Sequence, residues 1–310
     1  MRYNRNTNRL DLSQKDTHNF FRIQGEEFFL EHLEKGTAPV RGGNSSIFRA
    51  LHPEGAASYV VKFFRHFREL DFPEPQRRLQ RFEREIQALK KAQASEFGDC
   101  VVQIVDDGVF PVFTEGERKT LRYYVMSEAD SDLAFYLREN DLSLPQRVFL
   151  CSELLRILRG LHALDIYHRD IKPENIFMVA GRPLFGDLGL INFRNQDSDL
   201  DYFNEKIGPI GFLSPEATNK CFGIRNRESF SFDCGIDEKS DIFQLGQVFW
   251  LVLQDEVPTG QLETADVRFS LGRIFPEIIV PMLQYPKARR ASANDIGTAF
   301  VPILQELALA

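Results

Sequence analysis

Residues 168–175 read His-Arg-Asp-Ile-Lys-Pro-Glu-Asn. This short run holds a carboxylate, an ammonium and an amide. Asp170 can accept a proton from an attacking hydroxyl, Lys172 can neutralise charge on a moving phosphoryl group, and Asn175 can ligate a metal through its amide oxygen. Twelve residues past Asn175 comes Asp187, within Gly186-Asp187-Leu188-Gly189. A hard divalent cation takes carboxylate oxygen, so Asp187 is the candidate principal ligand for Mg2+. Taken alone, such a stretch is an ordinary polar turn. The flanking motifs decide against that.

Residues 168–175 resemble the catalytic loop of eukaryotic-type protein kinases, H-R-D-x-x-x-x-N, with all four fixed letters present. Gly186–Gly189 resembles the D-F-G motif, with Leu188 keeping the middle position apolar. The β-prone run Tyr59-Val60-Val61-Lys62 resembles the strand that carries the family's lysine. The resemblance implies that Lys62 reaches the α- and β-phosphates of ATP. Residues 77–91 place Leu79, Phe82, Ile86 and Leu89 on one helical face. On that helix Glu85 is the residue the resemblance pairs with Lys62.

The nucleotide loop is the poorest match. The family's G-x-G-x-x-G falls on Val40 to Ser45, where only the middle glycine, Gly42, is kept and Gly43 is extra. A Gly-Gly pair still lets backbone N–H groups approach phosphate. By the same resemblance Ile47 and Val60 line the adenine, Met126 guards its back, the backbone of Ser127, Glu128 and Ala129 pairs with its edge, and Phe177 is the floor. Three further matches are structural. Ser214-Pro215-Glu216 resembles A-P-E, and Asp241-Ile242-Phe243-Gln244-Leu245-Gly246 resembles the start of the family's long central helix, which implies that Asp241 bonds the catalytic-loop backbone. Arg289, after Tyr285-Pro286, is by the same resemblance the expected buried partner of Glu216. The matches run in order from about residue 40 to 290.

The implied fold class is α+β: a bilobal protein-kinase-like fold with a small β-rich N-lobe and a helical C-lobe. The expected organisation is a flexible arm over residues 1–25 and a kinase domain over 26–307. Within it, 26–126 form the N-lobe, 127–129 the hinge and 130–307 the C-lobe. Residues 218–238 are expected as a surface loop. The chain has 310 residues, 43% of them apolar, enough for a sizeable core. Its net charge of −7 gives no reason to expect nucleic acid as a partner. The four cysteines show no C-x-x-C spacing, so no zinc or redox pair is indicated. No apolar run approaches the ~18–20 residues of a membrane span, and no signal-peptide h-region is present, so a cytoplasmic protein is expected.

The resemblance implies ATP- and Mg2+-dependent phosphorylation of protein hydroxyls, including the chain's own. Lys172 in D-x-K-x-x-N is similar to Ser/Thr kinases. Pro209, where those have Thr, is similar to tyrosine kinases, so Ser/Thr specificity is favoured with tyrosine or dual specificity open. Arg169 beside the base needs an anion to offset it. Ser198 and Tyr202 are candidates for modification, and Asp197, Asp199 and Asp201 are the alternative source of charge. Two other classes remain open. A pseudokinase scaffold is suggested by the degraded glycine loop and opposed by Lys62, Glu85, Asp170, Asn175 and Asp187. A small-molecule phosphotransferase is opposed by Glu216 and its arginine.

Overall fold

The computed structural model describes residues 1–4, 9–13, 19–35, 38–39, 45–55, 58–64, 73–114, 117–194, 200–202, 205–222, 232–258, 260–268 and 271–309. They form two compact units. The first holds Met1–Gln93 and Val102–Glu128, and the second holds Ala94–Val101 and Ala129–Ala310. A β-rich unit followed by a helical one is the α+β arrangement the sequence implies. The boundary differs in detail from the expected 26–126 and 130–307, because the segment after the first helix groups with the second unit. Gly160 shows why. A Cβ there would lie 2.7 Å from Cys100 Sγ, so this glycine lets a helix pack directly on that segment.

The first unit contains β1 (Arg2–Asn4), β2 (Arg9–Asp11), β3 (Phe20–Ile23), β4 (Glu26–His32), β5 (Glu34–Lys35), β6 (Ala38–Pro39), β7 (Ser45–Leu51), β8 (Ser58–Phe64), α1 (Pro73–Gln93), β9 (Ile104–Thr114) and β10 (Glu117–Ser127). Six strands form one antiparallel sheet in the order β3-β4-β7-β8-β10-β9. The strands are rich in β-branched and aromatic residues, which suit a half-buried pleated surface. Alternate residues Phe21, Ile23, Phe28, Leu30, Phe48, Ala50, Val61, Phe63, Leu121 and Val125 build one core cluster. Phe21 stands edge-on to Phe63 and Tyr123, with ring centroids 5.5 and 4.9 Å away.

The expected arm over residues 1–25 is corrected here. Its described residues supply β1, β2 and the sheet strand β3, and Leu10, Phe21 and Ile23 are buried in the core, while residues 5–8 and 14–18 lie outside the described residues. The Asn/Arg-rich composition suggests disorder, but period-two burial in Phe20–Ile23 outweighs it once β4 offers a partner.

The second unit contains β11 (Ser131–Asp132), α2 (Leu133–Glu139), α3 (Leu144–Ala163), β12 (Ile166–Tyr167), β13 (Ile176–Val179), β14 (Arg182–Phe185), β15 (Asn192–Phe193), α4 (Pro215–Phe222), α5 (Glu238–Gln254), α6 (Val280–Met282) and α7 (Ala293–Leu309). Helix α3 starts where Ser143 and Gln146 form a capping box, with Pro145 in the first turn. Asp237 caps α5, which ends at Asp255 in the left-handed region, φ 62°. Helices α5 and α7 pack on α3. The expected surface loop over 218–238 starts as helix, since α4 continues to Phe222; residues 223–231 lie outside the described residues. Short strands β11, β13 and β14 form a sheet, and β12 pairs with β15. These two small ladders clamp the ends of residues 168–175. Among the described residues no helix is long and apolar enough to cross a membrane.

Candidate active site

Antiparallel pairing in the first unit puts Lys62 of β8 opposite Tyr124 of β10. Lys62 Nζ donates to both carboxylate oxygens of Glu85, at 2.8 and 3.0 Å. Tyr124 adds a hydroxyl donor to Glu85 Oε1 at 2.9 Å. Lys62 and Glu85 are both buried, so each needs the other: an unpaired charge there would be costly. The helical face of α1 that buries Phe82, Ile86 and Leu89 is what brings Glu85 inward. Tyr124 was not singled out by sequence. The signal was present, since it lies two residues before Met126 and therefore on the same strand face.

Ile47 also lies opposite Lys62, on the neighbouring strand β7, and Met126 lies opposite Val60. The Ser127 N–H donates to Gln103 O at 3.1 Å, and the Glu128 carboxylate accepts from Arg49 Nε at 2.7 Å. Gly42 and Gly43 lie outside the described residues.

In the second unit the catalytic-type loop follows β12. Asp170 accepts from Asn175 Nδ2 at 2.8 Å, and the same nitrogen donates to the Asp170 carbonyl at 2.9 Å. With its NH2 committed to Asp170, Asn175 has its amide oxygen for a cation. Lys172 Nζ is 3.4 Å from Asp170 Oδ2. Burial pushes the Asp170 carboxyl above the usual carboxylate range; Lys172 opposes this, and the negative charge of Asp187 adds to it. A carboxylate with raised proton affinity is a better proton acceptor. His168 is fully buried, its pKa lowered by that burial, and it stands edge-on to Phe185.

Asp187 is exposed and takes a left-handed conformation, φ 49°. The preceding N–H, of Gly186, donates to Asn175 O at 3.0 Å, so the backbone ties the two candidate ligands together. Leu188 is fully buried and anchors this turn. One carboxylate and one amide oxygen suit magnesium, which uses few protein ligands and completes its shell with phosphate and water. Phe177 is half-buried in β13, opposite Leu184.

The backbone of the loop is fixed from α5. Asp241 Oδ1 accepts from Arg169 N at 2.7 Å, and Oδ2 accepts from His168 N at 2.8 Å. His162 Nε2 lies 2.9 Å from the same carboxylate. Arg169 is buried in the left-handed region, φ 68°, and its guanidinium meets the carboxylate of Asp201. Lys220 of α4 bonds the same oxygen at 2.8 Å. Burial alone pushes the Asp201 carboxyl up, but the Arg169 charge and the Lys220 bond reverse this and bring it down to about 2. Of the two modification candidates, Tyr202 is exposed and Ser198 lies outside the described residues.

The expected pairing of Arg289 with Glu216 is corrected. Arg289 is exposed in a short 3-10 turn, while the next residue, Arg290, is buried. Arg290 Nη1 and Nη2 donate to Glu216 at 2.8 and 3.1 Å, and the guanidinium lies over the Phe243 ring. Ser240 Oγ donates to Glu216 as well, at 2.5 Å. The turn at Lys287–Arg289 rotates adjacent side chains to different sides, so two consecutive arginines cannot be told apart by spacing alone.

The family profile of the protein kinase domain matches residues 40–296. The chain belongs to the protein kinase family. It is similar to the serine/threonine-protein kinase mph1 of Schizosaccharomyces pombe, 23% identical over 252 residues, covering 78% of this chain and 34% of that protein. It is similar to the serine/threonine-protein kinase cds1 of the same yeast, 29% identical over 203 residues, covering 64% of this chain and 40% of that protein. It is also similar to the dual specificity protein kinase TTK of Mus musculus, 22% identical over 218 residues, covering 70% of this chain and 23% of that protein. The kinase chain thus spans well under half the length of these relatives.

Proposed function

We propose that this chain is an active protein kinase that transfers the γ-phosphoryl group of ATP, with Mg2+, to protein hydroxyls, serine and threonine first, and to its own. The observation that carries this reading is the arrangement at Asp170. One carboxylate of raised proton affinity sits with Asn175 Nδ2 at 2.8 Å and the Lys172 ammonium at 3.4 Å. Asp170 orients the acceptor hydroxyl and takes its proton. Lys172 offsets charge on the moving group. Lys62, aligned by Glu85 and Tyr124, holds the α- and β-phosphates. Asn175 and Asp187 offer the oxygens for magnesium, which supplies neutralisation of phosphate charge when bound. Positioning and charge stabilisation account for most of the barrier reduction in such chemistry.

Dual specificity is the second reading. Pro209 stands where Ser/Thr kinases have Thr, and one relative bears a dual-specificity name. The scaffold reading is disfavoured by the Lys62–Glu85 and Asp170–Asn175 bonds, which a binding module does not need. The test is transfer from labelled ATP to a generic protein acceptor, with magnesium and with a chelator. Magnesium-dependent labelling of serine and threonine supports the proposal. Nucleotide binding without transfer supports the scaffold, and transfer to small alcohols alone supports a small-molecule phosphotransferase.

A further inference from the structure

Gln244 lies one helical turn after Asp241 on α5 and is buried. Its side-chain amide bonds the backbone on both sides of Asp170. The Ile171 N–H donates to Gln244 Oε1 at 3.0 Å, and Gln244 Nε2 donates to Arg169 O at 3.2 Å. Only one orientation of the amide satisfies both partners, since one offers a hydrogen and the other accepts one. Together Asp241 and Gln244 hold the peptide groups of His168, Arg169 and Ile171. Arg169 is then gripped at both ends, its N–H by Asp241 and its C=O by Gln244. That matters because a non-glycine residue in the left-handed region is strained, and such strain persists only where the surroundings over-determine it. If the grip at the carbonyl is released, residue 169 can relax, and the next residue in the chain is Asp170.

The same amide lies beside the loop at Gly208. Gly208 has φ 110°, and a Cβ there would lie 2.9 Å from Gln244 Nε2 and 3.2 Å from Arg169 O. Gln247, one turn on, donates to Gly211 O at 3.3 Å. Pro209 lacks the hydroxyl with which a threonine at that place could bond the base directly. In this chain Gly208 leaves no room for a side chain beside the Gln244 amide.

We infer that Gln244 is a positioning residue: its amide clamps the peptide groups flanking Asp170 and sets the direction of the base. This rests on the reading of Asp170 as the base. Three variants test it in the full chain: Gln244→Met, which removes both bonds; Gln244→Glu, which keeps the acceptor and loses the donor; and Asp170→Asn. With a protein acceptor, Gln244→Met lowers kcat ~100-fold, the scale of a misdirected base. Gln244→Glu lowers it by a similar factor, since a buried carboxylate oxygen then faces the Arg169 carbonyl without a proton between them. KM for ATP stays within about twofold in both, because the amide touches neither Lys62 nor the metal ligands.

A second readout does not depend on turnover. Amide hydrogen exchange at Ile171 speeds up at least about 10-fold in Gln244→Met, while His168 and Arg169, bonded to Asp241, hold their parental rates. Parental kcat in Gln244→Met overturns the inference, as does unchanged exchange at Ile171 or a KM for ATP that rises as kcat falls. Parental turnover in Asp170→Asn overturns the assignment of the base, and the inference with it. An inactive Asp170→Asn beside a fully active Gln244→Met overturns the inference alone.

Discussion

The Asp201→Asn substitution asks whether this kinase needs phosphate to offset the charge of Arg169. Arg169 and Asp201 are almost completely buried against each other, with side chains 3% and 4% exposed, and Lys220 closes the group. The carboxyl is drawn down to about 2 from an ordinary 3.8. A shift of that size corresponds to roughly 2–3 kcal/mol at neutral pH. Because the folded pKa is the lower one, this stability is complete above the unfolded value and is lost as pH falls through about 2. Asn keeps the shape but not the charge, and it leaves Arg169 buried without its anion. The loss therefore lies between that figure and the ~3–5 kcal/mol of a broken buried pair. Expressed as loosening of the contacts around Arg169, it lowers kcat/KM by a factor of roughly 30 to 5,000. The assay compares parent and variant after phosphatase treatment, with a protein acceptor. The parent keeps its activity and the variant does not. A variant within twofold of the parent refutes the reasoning. So does a parent that phosphatase inactivates, since the anion would then be phosphate on Ser198 or Tyr202.

Three further outcomes follow from the geometry. Arg290→Met costs ~3–5 kcal/mol in urea unfolding, because Glu216 is left charged and buried, while Arg289→Met changes stability by less than about 0.5 kcal/mol; equal effects would contradict the pairing. Lys62→Met lowers kcat/KM for ATP by at least about 100-fold, checked by steady-state kinetics, since it removes the ammonium proposed to hold the phosphates, which Glu85 and Tyr124 align. Gly160→Ala lowers the thermal midpoint by several degrees, from ~1–3 kcal/mol of overpacking against Cys100 and Phe97, as read by calorimetry.

The catalytic loop was legible in sequence because its members are contiguous. Asp170, Lys172 and Asn175 lie within six consecutive residues, so their proximity follows from chain connectivity. Glu85 was legible because the family resemblance pairs it with Lys62 and helical periodicity places the apolar residues Phe82, Ile86 and Leu89 on one face around it. What sequence did not give was partner choice across long separations. Gln244 reads as one residue on an apolar helix, and nothing local says that its amide meets a loop 73 residues upstream. Arg289 and Arg290 differ only in the phase of a short turn. Strand β3 was hidden by its polar flank, since only pairing with β4 shows that Phe21 and Ile23 point inward. The link from Asp201 to Lys220 depends on where α4 is placed, which no local pattern fixes.

The most direct test of the central claim is phosphosite mass spectrometry after incubating the purified chain with ATP and magnesium, with Asp170→Asn alongside. With a generic protein acceptor in both incubations, the account predicts phosphate on serine or threonine of the acceptor and of the chain itself in the parent, and none in the variant. Equal phosphate in both, or none in either, would contradict it.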